Sequence, residues 1–188
     1  VKAFPRKPRL PSKGSICLDY RREIQQYRRQ ETALEEFRRS ETANGGNLKS
    51  IFVGAESPSY FQLKSAPQYY NQQLDFTQKR AVRKALEAED LALIQGPPGT
   101  GKTNVLVEVI RQILGENQRN PALDQKVLIV SQSHAAVDKI LEDLAPYLEH
   151  NAIRIGREEN IDPKINERFG LEHCQALWVN ESVERCKQ

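Results

Sequence analysis

The sequence contains no methionine, one tryptophan and only three cysteines among its 188 residues. The missing initiator methionine leads us to expect a segment of a longer protein. Cys17, Cys174 and Cys186 are odd in number and widely spaced, which excludes a disulfide framework and fits a reducing compartment. The cysteines and histidines also lack the close pairs that zinc sites use, so we expect no structural zinc.

Long hydrophobic runs are missing as well. No window comes near the roughly 18 apolar residues that a membrane span needs, and no apolar stretch follows the Pro- and Lys/Arg-rich N-terminus. We therefore expect a cytoplasmic protein with no signal peptide and no membrane partner. The composition, 38% hydrophobic and 28% charged, suits one globular domain of the usual size with a small appendage.

The net charge of +3 conceals an uneven distribution along the chain. Residues 1–40 carry 11 basic and 5 acidic side chains, whereas residues 41–188 carry 17 basic and 20 acidic ones. A basic excess of this size is typical of segments that contact phosphates, and equally of a solvated arm and helix face. Both interpretations stay open for this region.

The first 73 residues differ in composition from the rest. Residues 1–16 hold three prolines among five Lys or Arg, so we predict an extended basic arm. Residues 17–73 are predicted to form a helical stalk and linker, with a helix from Asp19 to Ser40 and a short strand at 50–53. The helix has one narrow apolar stripe, formed by Tyr20, Ile24, Tyr27, Leu34 and Phe37.

From Leu74 onward, helical and strand patterns alternate. Apolar strands are predicted at 91–94, 126–130 and 152–155. Helices are predicted over 79–87, from a Gly-rich turn to Leu114, and through the apolar positions between Val137 and Leu148. Gly115 is expected to stop the second of these helices. Continuous apolar strands alternating with helices indicate an α/β fold with a parallel sheet flanked by helices.

The Gly-rich turn connects the first of these strands to the following helix. It reads Gly96-Pro97-Pro98-Gly99-Thr100-Gly101-Lys102-Thr103 and satisfies the pattern GxxxxGK[ST]. Glycines let successive backbone N–H groups surround a phosphate, and the helix N-terminus adds partial positive charge. Lys102 can reach the β- and γ-phosphates, and the Thr103 hydroxyl can bind Mg²⁺. We therefore predict a nucleotide site formed by this turn and Asn104, with Lys102 and Thr103 as its catalytic residues.

Hydrolysis of a nucleotide also needs a carboxylate for Mg²⁺ and usually a second one to position water, typically at the end of a buried strand. No apolar run of this chain ends in Asp-Glu. Glu158 and Glu159 follow a turn, so we assign them to a solvated loop. The predicted catalytic machinery is therefore incomplete within this chain.

Three blocks follow one another over residues 74–157. The first is Leu74-Asp75-Phe76-Thr77-Gln78 with Ala81-Val82 and Ala85-Leu86, and the second is Leu93-Ile94-Gln95 with the Gly-rich turn. The third is the segment from Val127 to Ser133 with Ala136-Val137-Asp138. In this order they resemble the superfamily 1 nucleic-acid helicases, in the branch that moves 5′ to 3′ and contains the nonsense-mediated-decay and immunoglobulin-mu-binding helicases. The helix from Asp19 resembles the stalk helix of bacterial members more weakly.

This resemblance implies a P-loop NTPase of the RecA type, with residues 74–188 as an incomplete first lobe behind an N-terminal helical stalk. It also implies ATP with Mg²⁺ as cofactors, and single-stranded DNA or RNA as the partner along which ATP hydrolysis drives movement. In relatives a second lobe supplies arginines to the γ-phosphate, so we expect the remainder of a parent helicase as a further partner. This chain alone should not hydrolyse ATP efficiently.

Two other functions remain open. AAA-type ATPases share the sequence of the Gly-rich turn, although Gln78 and the third block disfavour that assignment. In a non-catalytic, nucleotide-dependent interaction module, the missing carboxylates would be absent from the whole protein.

Gln78 has two possible roles. It lies three residues after Asp75, so it can close a capping box on the next helix. The resemblance implies a second role, because the family's glutamine upstream of the phosphate loop selects adenine. Both roles can coexist in one side chain.

The segment Ser131-Gln132-Ser133-His134 lies between the second predicted strand and its helix. Ligands of open α/β sheets bind at such strand ends, where hydroxyls and helix amides suit phosphate oxygens. Capping of the helix by Ser131 or Ser133 is the alternative interpretation. The resemblance makes this segment the block that holds the single-stranded backbone, although many relatives carry Pro-Ser-Asn where this chain has Gln132-Ser133-His134.

Overall fold

A computed structural model describes residues 20–39, 47–148 and 151–185 of the chain. Two compact units are present, Val1–Ser57 and Pro58–Gln188. The predicted arm at 1–16 lies outside the described residues, and so do both predicted ends of the first helix, Asp19 and Ser40. The predicted division between residues 73 and 74 stays a prediction.

The first unit contains two described helices, α1 (Arg21–Arg39) and α2 (Asn47–Phe52). Most of the α1 stripe is exposed, with Leu34 at 68% and Tyr27 at 67%. Phe37 meets the Phe52 ring edge to face at a centroid distance of 5.7 Å. The strand predicted at 50–53 is wrong, because Ile51 and Phe52 belong to α2 and Val53 donates to the carbonyl of Lys49 in a helical turn.

The second unit is built from five helices among its described residues. They are α3 (Phe76–Glu87), α4 (Lys102–Arg119), α5 (His134–Leu148), α6 (Pro163–Phe169) and α7 (Leu171–Arg185). Short 3₁₀ turns at Pro121–Leu123 and Glu158–Asn160 lie between them. None of the helices in the described ranges is long and apolar enough to cross a membrane.

Local chemistry explains where these helices begin. The Asp75 carboxylate accepts from the backbone N–H of Gln78, and the Asp162 carboxylate accepts from the backbone N–H of Lys164, so each aspartate caps a helix. Pro163 occupies the first position of α6, where a missing N–H costs nothing. The helix predicted over 79–87 is confirmed as α3, which begins at Phe76. The helix predicted between Val137 and Leu148 is confirmed as α5, which begins at His134.

The prediction that Gly115 stops α4 is wrong, because the helix continues to Arg119. Gly115 is buried inside the helix and lies directly against the Tyr70 hydroxyl, which would clash with any Cβ at this position. The glycine is needed for this close approach of a neighbouring loop. Its role is therefore in packing.

Two apolar cores hold the second unit together. The larger core lies between α4, α5 and α6 and is formed by Ile110, Val137, Ile140, Leu141, Leu144, Leu148, Ile161, Ile165 and Phe169. The smaller core joins α3 to α4 through Leu74, Val82 and Val105. The inward positions predicted for α5 are confirmed.

The parallel sheet is not confirmed. Segments 91–94 and 126–130 form no ladder in the described parts of the chain, where only the isolated bridges Tyr60–Ala88 and Arg154–Gly170 occur. Leu93 and Leu128 are 85% and 87% exposed, so these apolar segments have no neighbour that covers them here.

Candidate functional site

The Gly-rich turn between residues 96 and 102 has the backbone shape that a phosphate loop needs. Gly99 and Gly101 have φ values of +80° and +76°, in the left-handed region that other residues avoid. A Cβ on Gly96 would lie 2.7 Å from the Thr100 hydroxyl, so a side chain there would disrupt the turn. Gly101 is also the N-cap of α4, which directs the N-terminus of that helix at the turn.

Lys102 lies across this loop. Its ammonium donates to the carbonyl oxygens of Gly96 and Pro97, at 2.6 and 2.8 Å. The Thr100 hydroxyl donates to the same Pro97 oxygen at 2.8 Å. Thr103 and Asn104 are exposed in the first turn of α4. The structure therefore places Lys102 on the loop beside the N-terminus of α4, and Thr103 is exposed one residue further along.

Gln78 connects this loop to α3. Its side-chain Oε1 atom accepts from the backbone N–H of Asp75 at 3.0 Å, and this bond completes the predicted capping box. Its Nε2 atom donates to the Thr100 carbonyl at 3.1 Å. An amide group has two N–H donors and two lone pairs, so one donor and one lone pair stay available. The capping role is confirmed, and the amide keeps the groups that an adenine edge would need.

Two buried polar residues on α4 fasten the segment that precedes α3. Glu108 is fully buried and accepts from the backbone N–H groups of Tyr70 and Asn71, at 2.8 and 2.9 Å. Gln112 donates both to Glu108, at 2.8 Å, and to the Gln68 carbonyl, at 2.9 Å. Sequence reasoning missed both residues, since polar side chains four apart on a helix are usually solvent-exposed.

The segment from Ser131 to His134 is exposed at the start of α5. The Ser131 hydroxyl accepts from the Ser133 amide nitrogen at 3.1 Å, in a turn that precedes the helix. The Ser133 carbonyl accepts from Ala136 and Val137 and so closes the first helical turn. Among the described residues, no hydrogen bond or ion pair joins this segment to the phosphate loop.

A buried ion pair lies beneath this segment. Arg154 Nε donates to Asp138 Oδ1 at 2.7 Å, and both side chains are at most 10% exposed. The second Asp138 oxygen accepts from the Asp162 amide nitrogen at 3.0 Å, which ties the pair to the start of α6. The sequence contained Asp138 in a recognised block but gave no signal for its partner 16 residues later.

Among the residues that the structure describes, the other candidate groups show no arrangement for chemistry. Glu158 and Glu159 lie in an exposed 3₁₀ turn, as predicted. Burial raises the pKa of the Cys174 thiol, whose sulfur donates to the Ala152 carbonyl, so this cysteine is a poor nucleophile. Cys17, Cys186 and His150 lie outside the described residues. Within the described ranges, no group of three or more His, Cys, Asp or Glu is placed to hold a metal.

Comparison with known proteins places these features in a family. The family model described as an AAA domain matches residues 73–183, which is more than half of the chain. The matched range contains Gln78, the phosphate loop, the segment from Ser131 to His134, and the Asp138–Arg154 pair.

Three curated relatives illustrate the similarity. DNA-binding protein SMUBP-2 of Mus musculus is 37% identical over 63% of this chain. The DNA replication ATP-dependent helicase/nuclease DNA2 of Saccharomyces cerevisiae is 34% identical over 67% of it, and an ATP-dependent helicase of Methanocaldococcus jannaschii is 36% identical over 72%. The chain spans only 11%, 8% and 19% of these relatives, respectively.

The expected resemblance is thus confirmed by both comparisons. The chain belongs to the AAA-domain family, which implies a P-loop NTPase fold, and to the superfamily 1 helicases of the nonsense-mediated-decay and immunoglobulin-mu-binding type.

Proposed function

We propose that the chain is the ATP-binding portion of an ATP-dependent helicase that couples hydrolysis to movement along single-stranded DNA or RNA. The observation that carries the proposal is the phosphate loop, in which Lys102 is already held over the loop carbonyls and Gln78 is bonded to Thr100. The names of the relatives, two of them ATP-dependent helicases and one a DNA-binding protein, support the same activity.

The loop residues fit ATP and Mg²⁺ in their chemistry. The left-handed glycines carry no side chain of their own between the backbone and a phosphate, and the α4 N-terminus adds partial positive charge toward phosphate. Lys102 would bind the β- and γ-phosphates, and the Thr103 hydroxyl would ligate Mg²⁺. Bound ATP supplies the phosphoryl group whose transfer to water drives the cycle.

A RecA-type parallel sheet is part of this proposal. The apolar runs at 91–94 and 126–130, each followed by a helix, support it, because strands that are covered on both faces of a parallel sheet read as continuous apolar runs. The segment from Ser131 to His134 is the proposed contact for the strand backbone. Efficient turnover is proposed for the whole protein, together with a cytoplasmic location.

The alternatives receive less support. An AAA-type ATPase that is not a helicase shares the phosphate loop, but Gln78 and the block from Ser131 to Asp138 disfavour that assignment. A non-catalytic module would bind nucleotide in the same way. Hydrolysis by the full-length protein therefore separates that module from the enzyme.

Nucleotide binding by the 188-residue chain tests the proposal. A fluorescent ATP analogue with Mg²⁺ should bind, and Lys102→Ala should weaken it by about 10- to 150-fold, because a charge-assisted phosphate contact contributes roughly 1.5 to 3 kcal/mol. Lys126→Ala is the matched control, since this exposed lysine faces Asp124 at 3.3 Å and lies outside the loop. Equal affinity of the Lys102 variant and the wild type would exclude this site.

A further inference from the structure

Arg154 is a buried arginine whose guanidinium is fixed in orientation. The side chain is 6% exposed, its Nε donates to Asp138 at 2.7 Å, and its Nη1 donates to the Ile155 carbonyl at 2.6 Å. Gly156 leaves room for it, since a Cβ there would lie 3.1 Å from Nη1. With two of its three nitrogens bonded, the planar group cannot rotate, and the direction of Nη2 is determined.

The remaining nitrogen, Nη2, faces His134. The distance from Nη2 to His134 Nδ1 is 3.4 Å. A guanidinium has only donors, so this contact is a hydrogen bond only when Nδ1 accepts and the ring carries its proton on Nε2. His134 is otherwise exposed at the start of α5, which leaves Nε2 accessible to a ligand.

We propose that Arg154, held by Asp138, is a positioning residue that fixes His134 as the Nε2–H tautomer. The outward Nε2–H then donates to a phosphodiester oxygen of the bound strand, beside the hydroxyls of Ser131 and Ser133. This inference rests on the proposed function, because it names the group through which the Ser131–His134 segment holds nucleic acid. A phosphate contact of this kind carries no base preference.

An asparagine at position 134 offers the same pair of groups. Its amide oxygen can accept from Arg154 while its amide nitrogen donates outward. His134→Asn should therefore preserve strand binding, whereas His134→Ala removes both groups. If position 134 makes no contact with the strand, the two substitutions should bind it equally well.

The tautomer can be measured directly in the wild-type chain. Nitrogen chemical shifts of ¹⁵N-labelled histidine distinguish Nδ1–H from Nε2–H, and the chain has only three histidines to assign. We expect the neutral His134 ring as Nε2–H, and a mixture of tautomers in Arg154→Gln. An Nδ1–H ring in the wild type, or an unchanged ring in Arg154→Gln, overturns the proposal. If Arg154→Gln does not fold, the wild-type spectrum alone decides this part.

Strand affinity provides the second measurement. Anisotropy of a labelled oligo-dT at low salt should show binding that is weaker by about tenfold or more for His134→Ala, because a hydrogen bond to a charged phosphate contributes roughly 1.5 to 3 kcal/mol. His134→Asn should bind like the wild type, and so should His173→Ala, a matched control for an exposed histidine on α7. Arg154→Gln should weaken binding by itself and add nothing to His134→Ala.

The outcomes separate this inference from the function on which it rests. If the wild type binds no strand, the Ser131–His134 contact is wrong, and the spectrum still decides whether Arg154 fixes the ring. If the wild type binds and His134→Ala binds equally well, the strand site stands and the role of His134 is wrong. Additive losses in the double variant would likewise contradict coupling through Arg154.

Discussion

The two sides of the larger unit each bury one acidic side chain, and the two carboxylates meet different partners. On the α3–α4 side, Glu108 accepts only from uncharged donors, the amides of Tyr70, Asn71 and Gln112. On the α5–α6 side, Asp138 faces the guanidinium of Arg154. One carboxylate therefore fixes a loop of main chain, and the other neutralises a buried cation.

This difference determines what each site loses when its carboxylate is removed. Without Glu108, two backbone N–H groups and one side-chain amide lose their acceptor, and the penalty is the desolvation of dipoles. Without Asp138, a buried guanidinium loses its counter-ion, and an unpaired buried charge is more costly than unpaired dipoles. The α3–α4 side should consequently tolerate the loss of its acid better than the α5–α6 side.

Asp138→Ala should produce the largest effect. We expect a loss of about 3 to 5 kcal/mol in the free energy of unfolding, because the substitution leaves the buried Arg154 charge without a counter-ion. Urea unfolding followed by circular dichroism measures it. Asp143→Ala on the same helix is the control, since its partner Lys139 is exposed and the pair contributes at most about 1 kcal/mol. Similar losses for both variants would mean that the buried Asp138–Arg154 pair contributes no more to the free energy of unfolding than an exposed pair does.

Glu108→Ala should follow, with a loss of about 2 to 4 kcal/mol from its unsatisfied amide donors. The same unfolding measurement applies, with Glu116→Ala, an exposed partner of Arg119 on the same helix, as the control. Glu108→Gln keeps one acceptor oxygen and should lose less than the alanine variant. A Glu108→Ala loss larger than that of Asp138→Ala would reverse the comparison between the two sides.

Gln78→Ala should have the smallest effect on stability. Half of the capping box disappears, which costs about 0.5 to 1.5 kcal/mol. If Gln78 also selects adenine, competition between ATP and GTP should show a narrower preference for ATP. Asp75→Ala is the matched control, because it removes the other half of the cap and leaves the Gln78 amide in place. Equal nucleotide preference in the two variants would restrict Gln78 to capping.

Sequence reasoning succeeded where the determining interactions are local. The phosphate loop follows from glycines and a lysine within eight residues, and its positive φ angles fall on two of those glycines, Gly99 and Gly101. The capping box required only Asp75 and Gln78 at a spacing of three. In each case the physical cause lies within a turn of the chain.

It failed where distant segments decide the local structure. Gly115 has the usual signature of a helix end, yet the Tyr70 ring packed against it makes it an interior residue. The burial of Glu108 could not be predicted from the local sequence, because the backbone N–H groups that it binds lie 37 and 38 residues away in the chain. The run at 50–53 contains β-branched and aromatic residues that favour a strand, and its short length leaves helix and strand indistinguishable by pattern.

Gln78 belongs to two pieces of structure at once, the first turn of α3 and the phosphate loop. A fluctuation that breaks the bond between the Thr100 carbonyl and Gln78 removes one of the two hydrogen bonds of the Gln78 side-chain amide. Only the bond from the Asp75 N–H then holds this side chain in place. Opening of the loop and fraying of the helix end are therefore coupled motions. Local openings of this kind set the rates of amide hydrogen exchange, so the first turn of α3 reports on movements of the loop.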